Sequence, residues 1–242
     1  KPGFYGMRLD FQTAPDFAWG IGYTSMYGGR GIPIGFTDYL SMIIGQTNVW
    51  NGQDKWNGQA GLDFRWRFPH MGGLQFYGGV YLEDSTSALD KMISGNRSHI
   101  LATQAGLYLP RLSPSGDWDL NLEVAGAGHS WYIHPLYPGG HTYGGHMIGD
   151  AMGGDANRYS LRLNHYLNAK TQLGLTLERL VQGASQPVSQ RTSSVGLTLR
   201  HRLDDHLLLE TTGGWASMDN ADFVSGLSRK FKFVNMQLTH RF

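Results

Sequence analysis

Along most of the chain, apolar and polar residues alternate with a period of two. Tyr5, Met7, Leu9 and Phe11 interleave with Gly6, Arg8, Asp10 and Gln12, and Phe17, Trp19, Ile21 and Tyr23 with Ala18, Gly20, Gly22 and Thr24. The clearest run sets Ala60, Leu62, Phe64, Trp66 and Phe68 against Gly61, Asp63, Arg65 and Arg67. Comparable segments follow at about 74–83, 99–110, 118–127, 157–168, 172–183, 192–203 and 206–216. A last one sets Val234, Met236, Leu238, His240 and Phe242 against Asn235, Gln237, Thr239 and Arg241. Successive side chains of a strand point to opposite faces, so a sustained period of two predicts strands. Eleven are predicted, most close to the roughly 9–11 residues with which a tilted strand crosses a bilayer.

Alternation alone does not say which face meets water. In a soluble sandwich or barrel the polar face would be rich in Lys, Glu and Thr. Here it carries Arg with Asp or Glu, together with Gly and Asn. Trp66, Phe68, Trp118 and Trp215 fall near strand ends, where an interfacial girdle would place them, and the last segment closes on Phe242. These features predict an all-β fold, an antiparallel transmembrane β-barrel of the outer-membrane type, its apolar face outward to lipid and its polar face inward. Mean hydropathy is −0.32, and no run approaches the roughly 20 apolar residues of a spanning helix. The 34 glycines and 12% aromatics suit strands and tight turns.

The connections alternate between short (13–16, 69–73, 111–117, 168–171, 203–205) and long (27–56, 84–98, 128–156, 184–191, 217–230). Outer-membrane barrels have short periplasmic turns and longer external loops, which places Phe242 on the periplasmic side of a Gram-negative outer membrane. Eleven is an odd count for a single-chain bacterial barrel, and sheet edges cannot stay open in hydrocarbon. The expectation is therefore about 11–12 strands belonging to a larger barrel, with residues 1–242 forming one barrel domain that lacks upstream strands and periplasmic helices. A twelfth strand through Ile32, Ile34 and Phe36 is the alternative, but Phe36 to Ile44 reads better as a short helical piece within a loop. The absence of cysteine excludes disulfides, thiolate catalysis and Cys-ligated metals. A net charge of +1 gives no case for a nucleic-acid partner.

Several segments, in order and spacing, resemble the Wzi family of outer-membrane capsule-assembly proteins. They are NGQAGLDFRWRF at 57–68, FYGGVYLED at 76–84, LNLEV at 120–124 leading into WYIH at 131–134, YGGHMIG at 143–149 and MGGD at 152–155. The series looks like the C-terminal half of such a protein. The resemblance implies a lectin-like barrel without enzymatic activity. Its partners would be capsular or extracellular polysaccharide, outer-membrane lipid and the capsule export machinery.

The densest polar and aromatic stretch lies in the long connection at 128–157. It supplies Trp131, Tyr132, His134, Tyr137, His141, Tyr143, His146, Asp150 and Asp155 as candidate polysaccharide-binding residues, punctuated by paired glycines. Aromatic rings stack on the apolar faces of sugars at small entropic cost, while His, Asp and Tyr hydrogen-bond hydroxyls. The competing reading folds this loop inward and uses its rings as packing. His129, His134, His141 and His146 do not have the spacing of a zinc site, and Asp150 and Asp155 lack a calcium-loop pattern, so neither a metal nor a cofactor is expected. Asp63, Arg65, Arg67, Glu83, Glu123, Arg162, Glu178, Arg200 and Arg202 take the polar phase as a lumen charge network. Either they pair across strands, because unpaired buried charges are costly, or they line a path for an acidic polymer. Ser130 beside His129, with Asp150 or Asp155, could sketch a hydrolase, but no nucleophile elbow frames it. The function expected is a non-enzymatic surface lectin. A pore or transporter for small solutes or glycans is the alternative, and an envelope hydrolase is a more distant one.

Overall fold

The computed structural model describes residues 1–29, 31–44, 46, 48–83, 100–144 and 146–241. Its first elements are strands β1 (Gly3–Ala14) and β2 (Phe17–Tyr27), helix α1 (Phe36–Ile43), and the short strands β3 (Val49–Trp50) and β4 (Gln53–Asp54). Strands β5 (Trp56–Phe68), β6 (Leu74–Glu83), β7 (Leu101–Leu109) and β8 (Trp118–Ala127) follow, then a small hairpin of β9 (Thr142–Tyr143) and β10 (His146–Met147). The chain continues through β11 (Ala156–Asn168), β12 (Thr171–Gln182), β13 (Gln190–Arg202), β14 (Leu207–Asp219) and β15 (Ser228–His240). Eleven of these form one sheet in the order β1-β2-β5-β6-β7-β8-β11-β12-β13-β14-β15, so each long strand lies beside the next one in the chain. The eleven predicted strands are these eleven. Among the described residues the order runs from β1 at one end to β15 at the other.

No twelfth strand forms through Ile32, Ile34 and Phe36: residues 32–35 are irregular and Phe36 opens α1. The helical reading of that segment holds for a local reason. Asp38, at the third helical position, reaches back to the Gly35 backbone N–H at 2.8 Å and satisfies a donor that the helix start leaves open. The long connection expected at 84–98 and the closing Phe242 lie outside the described residues.

The sheet is inverted relative to a water-soluble one. Across β13, β14 and β15, Leu197 lies opposite Gly213, which lies opposite Val234; Leu199, Thr211 and Met236 form the neighbouring row. Leu197 is 58% exposed, Val234 78%, Met236 68% and Leu238 61%. On the opposite face of the same strands, Thr198 and Thr212 hydrogen-bond at 2.9 Å. A soluble sheet buries its apolar face; this one displays it over three adjacent strands, as a lipid-facing sheet must. Aromatic pairs sit beside the short turns. Phe11 stacks on Trp19 at 4.4 Å near the turn at 15–16, Trp66 lies 4.8 Å from Phe68 before 69–73, and Trp118 stacks on His165 at 4.1 Å after 111–117.

The chain divides into two compact units. The first comprises Lys1–Arg65, Gly78–Gln104 and Gly126–Ala156, and the second Trp66–Tyr77, Ala105–Ala125 and Asn157–Phe242. Both pack large polar side chains flat against the polar face of the sheet, and glycine makes this possible. A Cβ on Gly61 would lie 2.1 Å from the Tyr81 ring, and one on Gly106 the same distance from the Tyr77 ring. In the first unit Arg8 binds Asp63 through both terminal guanidinium nitrogens, at 2.6 and 2.9 Å, and also holds Asp10.

A lipid-facing Leu197 gives a direct test. Leu197→Arg should destabilise the protein by about 2–4 kcal/mol in denaturant titrations from phospholipid vesicles, the cost of a cation near mid-bilayer. An exposed leucine facing water would change stability by no more than about 0.5 kcal/mol.

Candidate functional site

The loop at 128–155 is built from its buried side chains outward. Trp131 is 6% exposed and Tyr132 7%, and they pack with Ala102 against Tyr81 and Ala127. The loop is therefore folded back onto strands β6, β7 and β8, as in the packing alternative. A single carboxylate fixes it there. Glu83, buried at the end of β6, accepts the Asn57 side-chain amide on one oxygen at 2.8 Å and the Tyr132 backbone N–H on the other at 3.0 Å.

Tyr132 needs that hold, because its φ of 70° is an unfavourable conformation for a bulky residue. Such a backbone costs about 1–3 kcal/mol. Against this stand the burial of an aromatic ring, roughly 1.5–3 kcal/mol, and a charge-assisted hydrogen bond of about the same size. The attractive side wins. The Tyr132 hydroxyl also accepts the Asp150 backbone N–H at 3.0 Å, which ties both ends of the loop to one residue. Gly149 and Gly140 permit this approach: their added Cβ atoms would fall 2.2 Å from the Tyr132 hydroxyl and 2.8 Å from its carbonyl oxygen.

A second anchor joins the loop to the segment before β5. The buried Tyr137 donates its hydroxyl to the Lys55 carbonyl, and burial pushes this phenol's pKa up. Lys55 in turn pairs with Asp38 of α1 at 3.0 Å, both side chains largely buried. The Gly35 backbone N–H and the Lys55 ammonium hold the Asp38 carboxyl below the usual carboxylate range. The β3–β4 hairpin that carries Lys55 turns on Asn51 and Gly52, both left-handed, the Asn-Gly signature of a tight hairpin. That signal stands in the sequence; the partners of Lys55 and Glu83 do not, because each depends on a contact distant along the chain.

His141 is the most enclosed of the loop's candidates, at 1% exposure. Phe4 meets its ring edge-on at 5.9 Å, Tyr132 lies 5.3 Å away, and the ring bonds to the Asn57 backbone while Nε2 has no partner among the described residues. Burial lowers its pKa to about 4, with the nearby His134 acting in the same direction. His134 is also buried, its Nδ1 accepting the Leu136 N–H at 3.2 Å.

Trp131, Tyr132, His134, Tyr137 and His141 are thus interior, whereas Tyr143 and His146 are exposed on the β9–β10 hairpin and Asp150 and Asp155 are half-buried. Tyr143 is 67% exposed, with the Lys1 ammonium 5.7 Å from its ring centre. Among the described residues, no three His, Cys, Asp or Glu side chains gather as a metal-ion site.

Some of the remaining polar-phase residues pair across the sheet. In the second unit Glu123 accepts Arg158 at 3.1 Å and the Tyr77 hydroxyl at 3.0 Å, and the buried Asp119 accepts Asn164 at 2.9 Å and Tyr166 at 2.5 Å. Arg200 lies 3.4 Å from Glu210, and Arg162 lines the same concavity, of about 690 Å³. Cross-strand pairing accounts for Asp63, Glu123 and Arg200. The side chains of Arg65, Arg67, Arg162, Glu178 and Arg202 have no hydrogen bond or ion pair among the described residues.

A pH dependence follows from His141. Its folded pKa is depressed to about 4 from 6.5, so the unfolded loop binds the proton more readily. The contribution is whole above about pH 6.5 and is lost as pH falls toward 4. Hydrogen-exchange protection factors over 131–155 should decline across that window in the wild type and less steeply in His141→Gln. Equal slopes would remove His141 from the account.

Three comparisons place these features. The family model "Capsule assembly protein Wzi" matches residues 1–232. Wzi of Escherichia coli has been solved and described as an outer membrane protein involved in group 1 capsule assembly and a carbohydrate-binding β-barrel. It is 19% identical and superposes with a TM-score of 0.74 over 99% of this chain and 52% of that chain. This chain thus spans about half the length of that barrel. No curated protein sequence matches. With a family model that covers all but its last ten residues, the chain belongs to the Wzi family of capsule assembly proteins.

Proposed function

We propose that the chain forms part of a non-enzymatic outer-membrane barrel that binds capsular or extracellular polysaccharide and helps assemble it at the surface. The family and the shared fold support the general role. One observation carries the site: a loop anchored from below by Glu83 and Tyr137 holds an exposed aromatic, Tyr143, on a short hairpin with His146 beside it. An aromatic fixed in advance loses little entropy on stacking against a sugar. Asp150 and Asp155 stand in the same loop as acceptors for hydroxyls.

Trp131, Tyr132, His134, Tyr137 and His141 take the second role in this reading, as the platform beneath the contact surface. Many weak contacts repeated along a polymer add through multivalency, so a small exposed patch suffices. The longer connections face outside and the short turns, with the end of β15, face the periplasm. The capsule export machinery is a further partner of the assembled protein.

The test is binding of the host's purified capsular polysaccharide to the detergent-solubilised protein. Tyr143→Ala/His146→Ala should weaken binding about tenfold or more while protection of 131–155 stays as in the wild type. Trp131→Ala/Tyr132→Ala should weaken both together. Binding unchanged by the first variant would move the site elsewhere, and no binding by the folded wild type would end the lectin reading of this chain.

A further inference from the structure

The outward face of the second unit changes character at the end that bears the connections 183–189 and 220–227. In register across β12, β13, β14 and β15, the apolar rows end at Leu177, Val195, Trp215 and Lys232. The next row outward is Arg179, Ser193, Ser217 and Lys230, and the one beyond it Val181, Arg191, Asp219 and Ser228. Residues opposite one another in an antiparallel pair share a face, so four cations border the apolar belt against the single carboxylate Asp219. Glu178 and Arg229, one residue out of phase, belong to the other face, where Arg229 pairs with Asp222 at 2.5 Å.

These cations are not consumed by the fold. Arg179, Arg191, Lys230 and Lys232 are all exposed. Arg191 donates to the Ser189 hydroxyl at 3.3 Å, while the side chains of Arg179, Lys230 and Lys232 have no hydrogen bond or ion pair among the described residues. Mainly apolar rows bordered by four cations against one carboxylate are not the evenly mixed-sign surface that solubility alone would favour. A second feature lies beside them. An open groove of about 560 Å³ on the same face is walled by Leu122, Val124, Tyr159, Leu161 and Leu177, with Arg179 at its rim. Apolar walls below and a guanidinium above are the complement of an acyl chain that ends in an anionic head group.

We propose that this face binds a phosphorylated glycolipid of the outer leaflet, its phosphates held by Arg179, Lys230 and Lys232 and an acyl chain lying along the Leu122–Leu177 groove. Arg191 extends the cationic border, offset in part by Asp219. The inference rests on the outer-membrane placement with the longer connections outside. Its consequence is that the barrel's rim is fixed at the level of the lipid phosphates.

The experiment measures retention of bisphosphorylated lipid A by the full-length protein in mixed detergent micelles, by native mass spectrometry. Arg179→Ser/Lys230→Ser/Lys232→Ser should lower retention about tenfold or more. Lys230→Arg/Lys232→Arg and the polar-face control Arg65→Ser/Arg67→Ser should leave it unchanged. Lipid A stripped of both phosphates should bind the wild type as weakly as intact lipid A binds the triple variant, and millimolar inorganic phosphate alone should not displace the bound lipid. Equal retention by the wild type and the triple variant, or by the two forms of lipid A, overturns the proposal. Insertion into phosphatidylcholine vesicles, read as protection from protease, separates the two levels. A wild type that inserts but shows no phosphate-dependent retention sinks this inference alone, whereas one that does not insert sinks the membrane placement as well.

Discussion

A strand that crosses hydrocarbon must pair every backbone group with a neighbour and present to lipid only what lipid tolerates. The rest of this structure follows from that constraint. It turns Leu197, Val234, Met236 and Leu238 outward, where they are largely exposed, and sends Asp63, Asp119, Glu123 and Arg158 to the other face. Several charges placed there find partners, as Arg8 does with Asp63 and Asp119 with Asn164 and Tyr166. Glycines at positions such as 61 and 106 make room for tyrosines to lie along the sheet, so the polar face becomes a packed surface.

On that surface the 128–155 loop gains its order. Glu83 binds the loop through the Tyr132 backbone N–H, and Tyr137 reaches the carbonyl of Lys55 beside the buried Asp38 pair. Both anchors are polar groups satisfied in protected surroundings, where a missing partner would be costly. The backbone strain at Tyr132 is tolerated because ring burial and hydrogen bonds outweigh it. The outcome is a loop whose interior is aromatic and whose exposed residues Tyr143 and His146 stand on the β9–β10 hairpin.

The strands were legible in the sequence because side-chain alternation is a local property, and the inverted polarity could be read from which residues occupied the polar phase. The short helix at 36–43 was legible for the same reason, its helical residues standing between irregular segments. The division of labour within the loop was not. Trp131 and Tyr143 are alike as residue types, both aromatic and in the same glycine-rich loop, yet one is 6% exposed and the other 67%. That difference comes from Glu83, Tyr81 and Ala102, more than twenty residues away along the chain, and no local pattern encodes it. The basic border on β12–β15 was hidden in a similar way, since Arg179, Arg191, Lys230 and Lys232 meet only once the register brings their strands together.

One face of the sheet is apolar and exposed and the other polar and packed, and the first is the face that a lipid-facing sheet presents. The absence of cysteine allows the first to be measured residue by residue. Single cysteines placed in turn at positions 194–199 of β13, labelled with a nitroxide in the bilayer-reconstituted protein, report collisions with oxygen and with a water-soluble nickel chelate. The account predicts oxygen maxima at 195, 197 and 199, with minima at 194, 196 and 198. Nickel-chelate maxima at 195, 197 and 199 would contradict it, because the apolar face would then meet water and not lipid.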